Sequence, residues 1–350
     1  LMTGIWELLM KRTQIKLNPN RKTRLAGIVV FLTLSGWILI NAYDYKNELV
    51  FGIDQKIQQE KWDQALLLSS RYPENHLLIL YFTNLALYKS GQLGDRMFHY
   101  NQVGPSGLYL NWTNNAYINL YGSEIFYHLG YINEAYRWTF GTMVVNGPSP
   151  RLLKRLILTS IINGDYPIAE KYLNFLDQSL FYRRWAQQYR NYIVNPELII
   201  KDQKISQKRH LLIHDDFFAG EGKSDIALTK LLENHSDNKM AFEYYMASLL
   251  LSKNILGFVE KIDRIKEFRY KEIPVHYEEA LIWYMGHLKK EILPQGYEIR
   301  TSTIQRFKEY ASAYSSYTGD PKMMAQALYP SFGNTFWFYY HFNNIQVSSK

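Results

Sequence analysis

An uncharged stretch of 19 residues, Leu25 to Tyr43, constrains the fold of this chain more than any other feature of its sequence. As an α-helix it extends about 28 Å, close to the ~30 Å hydrocarbon core of a bilayer. Trp37 and Tyr43 lie toward its distal end, where aromatic side chains are typical of the membrane interface. The stretch therefore predicts one transmembrane helix over residues 25–43, in contact with membrane lipid.

Positive charge is concentrated just before this stretch. Residues 1–24 contain six Lys and Arg residues and one acidic residue, Glu7, whereas residues 25–350 contain 34 cations and 31 anions. The positive-inside rule then predicts that residues 1–24 are a basic cytoplasmic segment and that residues 44–350 lie outside the cytoplasm. Because the remaining charge is nearly balanced, we expect no footprint for nucleic-acid phosphates and no nucleic-acid partner.

Two other interpretations of the apolar stretch stay open at this point. A cleavable signal sequence also has a basic flank, but its apolar part is about 7–15 residues long and a small-x-small site follows it. No such site follows Trp37. A buried core helix would be equally apolar, although six cations directly before it and none within it are unusual for a core element.

Cysteine is absent from all 350 residues, which excludes several kinds of site at once. Disulfide scaffolds, thiolate zinc sites, iron–sulfur clusters and cysteine nucleophiles all need the thiol. Aromatic residues are instead abundant, at 16% of the chain. Such large ring surfaces either pack a core or line a binding face.

Beyond Asp44, apolar residues recur at three- and four-residue spacings, which predicts an all-α fold. Gly130 is followed by Ala135, and the same pair recurs 34 residues later as Gly164 and Ala169. Glycine takes a left-handed conformation between antiparallel helices, and a small alanine lets the second helix approach the first closely. Four weaker pairs follow the same pattern: Glu60 with Ala65, Gly91 with Arg96, Gly222 with Ala227, and Asn254 with Val259.

A period of 34 residues is that of tetratricopeptide repeats, and residues 54–268 resemble that superfamily. With the segments IPVHYEEAL at 273–281 and FGNTFWFYY at 332–340, the chain also resembles an uncharacterised family of membrane-anchored bacterial envelope proteins. The resemblance implies one transmembrane helix followed by a tetratricopeptide-like α-solenoid of antiparallel helix pairs over residues 44–268. It further implies an envelope protein whose relatives can have several membrane spans before the repeats. From its one apolar stretch, we expect this chain to cross the bacterial inner membrane once and to face the periplasm. An irregular all-helical domain is the alternative.

Residues 269–350 are expected to form a C-terminal helical region in which the period fades. Helices are predicted over residues 277–290 and 303–317, and a third from Pro321. The segment Pro330–Phe342 holds seven aromatic residues in thirteen. We expect it to pack on the last repeat as an aromatic cap, with docking on a bilayer or on a partner as the alternative.

One group of residues could bind a metal. His210 and His214 are one helical turn apart, with Asp215 and Asp216 beside them, and histidines at this spacing can share an ion. The H-E-x-x-H pattern is absent, however, and no third ligand is in view. The end of a surface helix is the simpler interpretation, so we expect neither a metal nor another cofactor.

Catalytic groups are equally hard to find. His276 with Glu278 and Glu279 could supply an acid and a base, but neighbouring glutamates on a helix do not face each other. Helix capping is the expected role of this segment, and no nucleophile motif occurs. The chain is therefore not expected to be an enzyme. The alternative hypothesis is an envelope enzyme acting on a glycan or peptide, with the repeats as scaffold and a site near His210.

Stacked helix pairs form a concave groove, and tyrosine-rich grooves bind extended peptides or a partner's helix because rings give contact area at low entropy cost. The sequence therefore predicts an extracytoplasmic scaffold that binds a protein or peptide partner. The candidate groove residues are Tyr81, Asn84, Tyr88, Tyr117, Tyr121, Tyr127, Tyr244 and Tyr245. Ordinary interhelical core is the alternative role for these residues. A structural subunit that docks through its aromatic tail is a third hypothesis.

Residues 44–350, produced without the apolar stretch, are expected to be soluble and strongly helical, because the apolar spacing beyond residue 44 is that of amphipathic helices. Circular dichroism of this fragment checks the expectation. A spectrum dominated by strand would contradict the predicted fold class.

Overall fold

The computed structural model describes residues 21–72, 76–113, 115–213, 224–288, 292–317 and 319–343, and all regular secondary structure in these ranges is helical. The predicted all-α class is therefore confirmed for the described residues. The chain divides into two compact units, residues 1–49 and residues 50–350.

Twenty α-helices occur in the described ranges. In chain order they are α1 (Arg21–Ala42), α2 (Tyr45–Gln58), α3 (Trp62–Ser69), α4 (Leu77–Lys89), α5 (Leu93–Arg96), α6 (Ala116–Asn119), α7 (Ser123–Leu129), α8 (Ile132–Asn146), α9 (Pro150–Asn163), α10 (Tyr166–Asp177), α11 (Arg183–Val194), α12 (Glu197–Lys201), α13 (Gln203–His210), α14 (Ser224–Asn234), α15 (Lys239–Leu251), α16 (Ile255–Lys261), α17 (Val275–Leu288), α18 (Thr301–Ser316), α19 (Pro321–Phe332) and α20 (Phe336–Phe342). Short 3₁₀ turns occupy Met97–His99, Pro105–Gly107 and Ile262–Lys266.

The first unit contains α1, which is long and apolar enough to cross a membrane. Its apolar part, Arg24–Ala42, has 19 residues with a mean hydropathy of 2.0, and none of it is buried. Both ends lie within one residue of the predicted span. Because no residue of this span is buried, a core helix is disfavoured, whereas a signal sequence near the N-terminus can pass the same test of length and composition. The membrane topology therefore stays a prediction.

Asp44 separates α1 from α2 by capping the second helix. Its Oδ1 accepts hydrogen bonds from the backbone N–H groups of Lys46 at 2.9 Å and Asn47 at 3.2 Å. These N–H groups have no carbonyl partner within their own helix, so the carboxylate stabilises the start of α2.

Five helix ends in the second unit share one turn geometry. A residue with positive φ ends the helix and the next helix begins two residues later, at Glu60, Gly91, Gly130, Gly164 and Lys253. In each turn, the N–H of the positive-φ residue donates to the carbonyl three residues earlier, and the following N–H donates to the carbonyl five residues before it. These paired bonds define the Schellman turn. The strongest predicted turns, at Gly130 and Gly164, are therefore present as turns, and both alanines that follow are fully buried.

The weaker predicted turns differ in detail. In the turn before α16, Lys253 adopts the left-handed conformation with φ of 59°, one residue earlier than predicted. Asn254 instead caps α16, because its side chain accepts a hydrogen bond from the N–H of Gly257. Arg96 is exposed at the predicted alanine position after Gly91. Gly222 lies outside the described residues.

Helices that follow one another pack side by side through much of the second unit, including α3 on α4, α8 on α9, α9 on α10 and α14 on α15. The middle of the unit has its own apolar core, to which α9 contributes Leu156 and Ile157 and α10 contributes Leu173, all fully buried. Interhelical packing of this kind is what the three- and four-residue apolar spacing predicts.

Some helices also contact segments that are far from them in the sequence. The ring of Tyr244 on α15 packs against Tyr88 and Tyr109, with centroids 6.0 Å apart in both pairs. On α17, Nε2 of His276 accepts a hydrogen bond from the N–H of Phe98 at 3.3 Å. In a simple solenoid each repeat contacts only its neighbours. These contacts are therefore the reason that the helix order alone does not establish a tetratricopeptide-like solenoid.

The C-terminal helices begin within two residues of the predicted positions, but their glutamates cap other helices. Glu278 on α17 accepts hydrogen bonds from the N–H of Arg300 at 3.1 Å and the hydroxyl of Thr303 at 2.5 Å, at the start of α18. Glu279 accepts from the N–H of Phe336, the first residue of α20, at 2.7 Å. Both carboxylates are buried and join three helices, so no open acid–base site exists there.

The aromatic tail folds as α20 and its rings face inward. Its buried side chains are Phe336, Trp337, Phe338, Tyr339 and Phe342. Phe98, from the amino-terminal half of the unit, lies 4.8 Å from the ring of Tyr339 between centroids. The tail therefore contributes to the core of the unit and exposes little ring surface.

Replacing Gly164 by alanine is expected to destabilise the second unit by about 1 kcal/mol, because an L side chain is strained at its φ of +85°. Gly286→Ala is the matched control, since among the described residues no atom outside the backbone of its own helix lies within 4 Å of a Cβ added to this glycine. Alanine favours a helix interior, so the control should be neutral or stabilising. Denaturant titration followed by circular dichroism measures both. Equal effects of the two substitutions would contradict the proposed turn geometry.

Candidate functional site

A cleft of about 410 Å³ opens in the second unit, and side chains of α7, α9 and α11 line much of it. A buried carboxylate, Glu124, lies at its base. Cationic and aromatic side chains surround that carboxylate, including Arg151, Arg155, Tyr127 and Trp185. The combination of charge with ring surface distinguishes this cleft from the apolar core beside it.

Glu124 is the acceptor at the centre of an ion network. Its Oε1 lies 2.6 Å from a guanidinium nitrogen of Arg155, and its Oε2 lies 2.9 Å from one of Arg151. The amide of Gln58 donates to Oε2 at 3.0 Å, and Arg151 also pairs with Asp54. The network therefore joins α7 and α9 to the end of α2 through charged side chains that are mostly buried.

The start of α7 is fixed by a tyrosine from another helix. The hydroxyl of Tyr81 on α4 donates to the carbonyl of Tyr121 at 3.0 Å and accepts from the N–H of Ile125 at 2.9 Å. This N–H is among those that a helix start leaves without a partner. Glu124 lies in the first turn of α7, where the helix dipole favours a carboxylate.

The arginines follow from the sequence of α9. Ser149 caps this helix and Pro150 is its first residue, which sets the helix register. Arg151 and Arg155 are four residues apart and therefore project on the same face. That face turns toward Glu124, whereas Leu156 and Ile157 of the same helix pack into the core.

Burial and charge set the protonation states at the base of the cleft. Burial by itself raises the pKa of Glu124, but Arg155, the hydrogen bond from His128 and Arg151 together hold it well below its usual range. Burial, together with the positive charge of Lys89, lowers the pKa of His128 to about 3. Near neutral pH the carboxylate is therefore charged and the imidazole neutral.

One wall of the cleft combines a lysine with aromatic rings. The ammonium of Lys154 lies 4.7 Å from the ring centroid of Tyr182 and 5.5 Å from that of Trp185. Tyr189 extends the ring surface, with its centroid 4.2 Å from that of Trp185. Among the described residues Lys154 has no carboxylate within ion-pair distance. Burial and the neighbouring Arg151 lower its pKa.

Further polar groups lie in the cleft or directly beside it. Lys204 pairs with Glu60 at 2.6 Å, and the hydroxyl of Tyr192 donates to Asp202 at 2.8 Å. The guanidinium of Arg155 lies 3.8 Å from the ring centroid of Tyr127. The cleft therefore presents rings and charged groups together, which suits a polar ligand that has flat or apolar parts.

Four of the predicted groove residues are core residues in this structure. Tyr81, Asn84, Tyr121 and Tyr244 are at most 1% exposed. Tyr81 holds α7, and the amide of Asn84 donates to the carbonyl of Gly107 at 3.0 Å. A side chain buried in this way contacts a partner only if helices separate, so the interhelical alternative describes these four residues.

The other four predicted residues are half-buried. Tyr88 packs on Tyr244, and Tyr117 has its ring against Tyr121, with centroids 5.4 Å apart. Tyr245 is also half-buried, on α15. Tyr127 is the predicted residue that lines the cleft. The structure therefore does not bring the predicted set together on one open surface.

The sequence patterns did not predict several residues of the cleft as site residues. Lys154 and Arg155 could have been singled out from the sequence, because they interrupt a mainly apolar run in the helix PRLLKRLILTSIIN. Trp185 directly follows two arginines on α11, which indicates a binding residue only weakly. The convergence of Arg151 and Arg155 on Glu124 could not be predicted from the sequence, because the acid is 27 residues from Arg151 in the chain.

Of the four residues in the predicted metal group, one lies within the described residues. His210 is the last residue of α13, whereas His214, Asp215 and Asp216 lie outside the described residues. The structure places other polar side chains beside His210, at residues 235 and 237.

Over the residues that the structure describes, the architecture thus defines a class: a helical protein with one exposed apolar helix and a compact helical unit that contains a charged cleft. The sequence profile of DUF6057, a family of unknown function, matches residues 2–343. The chain therefore belongs to this family, which agrees with the expected relation to a family without assigned function. No curated protein and no solved structure matches the chain.

Glu124→Gln is expected to lower the free energy of unfolding by about 3–5 kcal/mol, because it leaves two largely buried arginines short of a charged partner. The matched control is Glu134→Gln on α8. Glu134 pairs with Arg137, whose side chain is 49% exposed, so its loss should cost about 1 kcal/mol or less. Denaturant titration compares the two variants. Similar losses would show that the network does not stabilise the unit.

Proposed function

We propose that this protein is a membrane-anchored scaffold whose helical unit binds a peptide segment of a protein partner in the cleft above Glu124. The proposal rests on the surroundings of Lys154. This cation is half-buried, faces aromatic rings and has no carboxylate partner among the described residues. A cation held in this way is available to an anionic group of a ligand.

The cleft suits a peptide for a physical reason. Trp185 and Tyr189 present rigid ring surface, which gives contact area at low entropy cost. Lys154 can meet an acidic side chain or a terminal carboxylate, and Lys204 and Asp202, which also line the cleft, can meet backbone groups. We infer that the preferred peptide carries an acidic residue next to an apolar or aromatic one.

The fold that presents the cleft is proposed to be a tetratricopeptide-like solenoid of antiparallel helix pairs, closed by the C-terminal helices. The five equivalent turns, from Glu60 to Lys253, support this proposal. The side-by-side packing of α7 to α11 supports it as well. The chain-distant contacts of α17 then represent a cap that covers one side of the stack.

The membrane arrangement is proposed from α1 and the charge before it. The apolar span of 19 residues would cross the inner membrane of a bacterium once. The basic residues 1–24 would remain in the cytoplasm by the positive-inside rule, and the helical unit would face the periplasm. A peptide partner in that location is a periplasmic or membrane protein.

Affinity capture tests the proposal. The tagged full-length protein is recovered from detergent-solubilised native membranes beside a control of residues 1–48, and bound proteins are identified by mass spectrometry. A cleft variant, Lys154→Gln with Trp185→Ala, should lose most of any partner that the native chain retains, because it removes the free cation and the main ring.

A matched surface variant separates binding from nonspecific effects. Lys171→Gln with Phe175→Ala removes the same kinds of groups from α10, where both side chains are exposed and neither lines the cleft. This variant should retain the partner. A partner lost equally from both variants, or retained by both, would argue against the cleft as its binding site.

A further inference from the structure

A second polar cluster lies away from the cleft, where three chain segments meet. His210 ends α13, His235 directly follows α14, and Asp237 lies in the loop before α15. One ligand atom from each side chain lies within 4.8 Å of the others. Two imidazoles and a carboxylate that converge in this way are the donor types of zinc sites in proteins.

The distances within the cluster suit one shared ion. Nε2 of His210 lies 2.9 Å from Oδ2 of Asp237. Two ligands on the same zinc ion are about 3.3 Å apart, given bonds of about 2.0–2.2 Å at a tetrahedral angle. The present hydrogen bond therefore needs only slight widening for an ion to replace the proton that His210 donates, and that proton is released to solvent.

A hydrogen bond to the backbone holds the imidazole of His235. Its Nε2 lies 3.1 Å from the carbonyl oxygen of Leu212. A carbonyl only accepts hydrogen bonds, so Nε2 carries the proton and Nδ1 keeps its lone pair. Histidine ligands of metals commonly donate their second nitrogen to a backbone carbonyl in this way, which fixes the tautomer and the ring orientation.

The loop that carries two of these side chains is held in place by its neighbours. Asn238 is 3% exposed, and its amide donates to the carbonyl of Leu129 at 2.9 Å while its oxygen accepts from the N–H of Ala241. Arg264 donates to the carbonyl of Ser236 at 2.9 Å. The backbone from residue 235 to residue 238 is therefore fixed before any ion binds.

We propose that His210, His235 and Asp237 form a binding site for a divalent metal ion of the zinc type. The site offers three protein ligands and no thiolate, since the chain has no cysteine. The side chains of His210 and Asp237 are 62% and 65% exposed, so the ion faces solvent and keeps an open position for water or a ligand. Open sites with three protein ligands are typical of reactive rather than structural zinc.

Zinc titration of the full-length protein tests the site. The protein is purified in detergent, stripped of metal with a chelator, and titrated with Zn²⁺ in a calorimeter. We expect one ion per chain. His235→Gln and Asp237→Asn should each weaken binding at least about tenfold, since loss of an outer partner alone costs about 10–100-fold.

Controls keep the test independent of folding. His287→Gln removes another exposed histidine, on α17, and should bind zinc like the native chain. Circular dichroism of the metal-free variants should match that of the native protein, because His210 and Asp237 are exposed. Zinc should also raise the melting temperature of the native chain more than that of Asp237→Asn, because weaker binding gives less stabilisation of the folded state at the same zinc concentration.

Two results would overturn the proposal. One is the absence of stoichiometric zinc binding by the native chain. The other is binding that His210→Gln abolishes but His235→Gln and Asp237→Asn leave unchanged, because this would assign the ion to a different ligand set around His210.

Discussion

The charge of Glu124 is the constraint on which the middle of this molecule depends. A carboxylate that is 4% exposed is costly unless it is paired. Arg151 and Arg155 on α9 pair with this carboxylate. Tyr81 helps to position it by fixing the start of α7. Because the arginines are held by the acid, they are largely neutralised within the network. Lys154, one position before Arg155, is left as the cation that the cleft presents.

The cleft and the apolar core therefore come from the same helices. One face of α9 packs into the core through Leu156 and Ile157, and another face carries its cations toward α7. A ligand that replaces water at Lys154 would contact rings whose positions depend on that core. Binding in the cleft and stability of the unit should consequently be linked, since both require the native packing of α7, α9 and α11.

The carboxyl-terminal half closes the unit through contacts that are distant in the chain. Glu278 and Glu279 lie on one helix and cap two others, and the aromatic tail buries its rings against Phe98 as well as its neighbours. The zinc-type site lies at another such junction, where the end of α13 meets the loop before α15. Side chains from separate segments are brought together at each of these places by packing of the whole unit.

The sequence by itself determined the local elements. The glycines at 130 and 164 specify left-handed turns because a Cβ is strained there, and the apolar spacing specifies helices because one face of each must leave water. It located the C-terminal helices to within two residues for the same reason. Tertiary structure alone decided which tyrosines became core, which cation stayed unpaired beside Trp185, and which residues lie beside His210. Those outcomes depend on contacts across tens of residues, and sequence spacing carries no information about which distant faces meet.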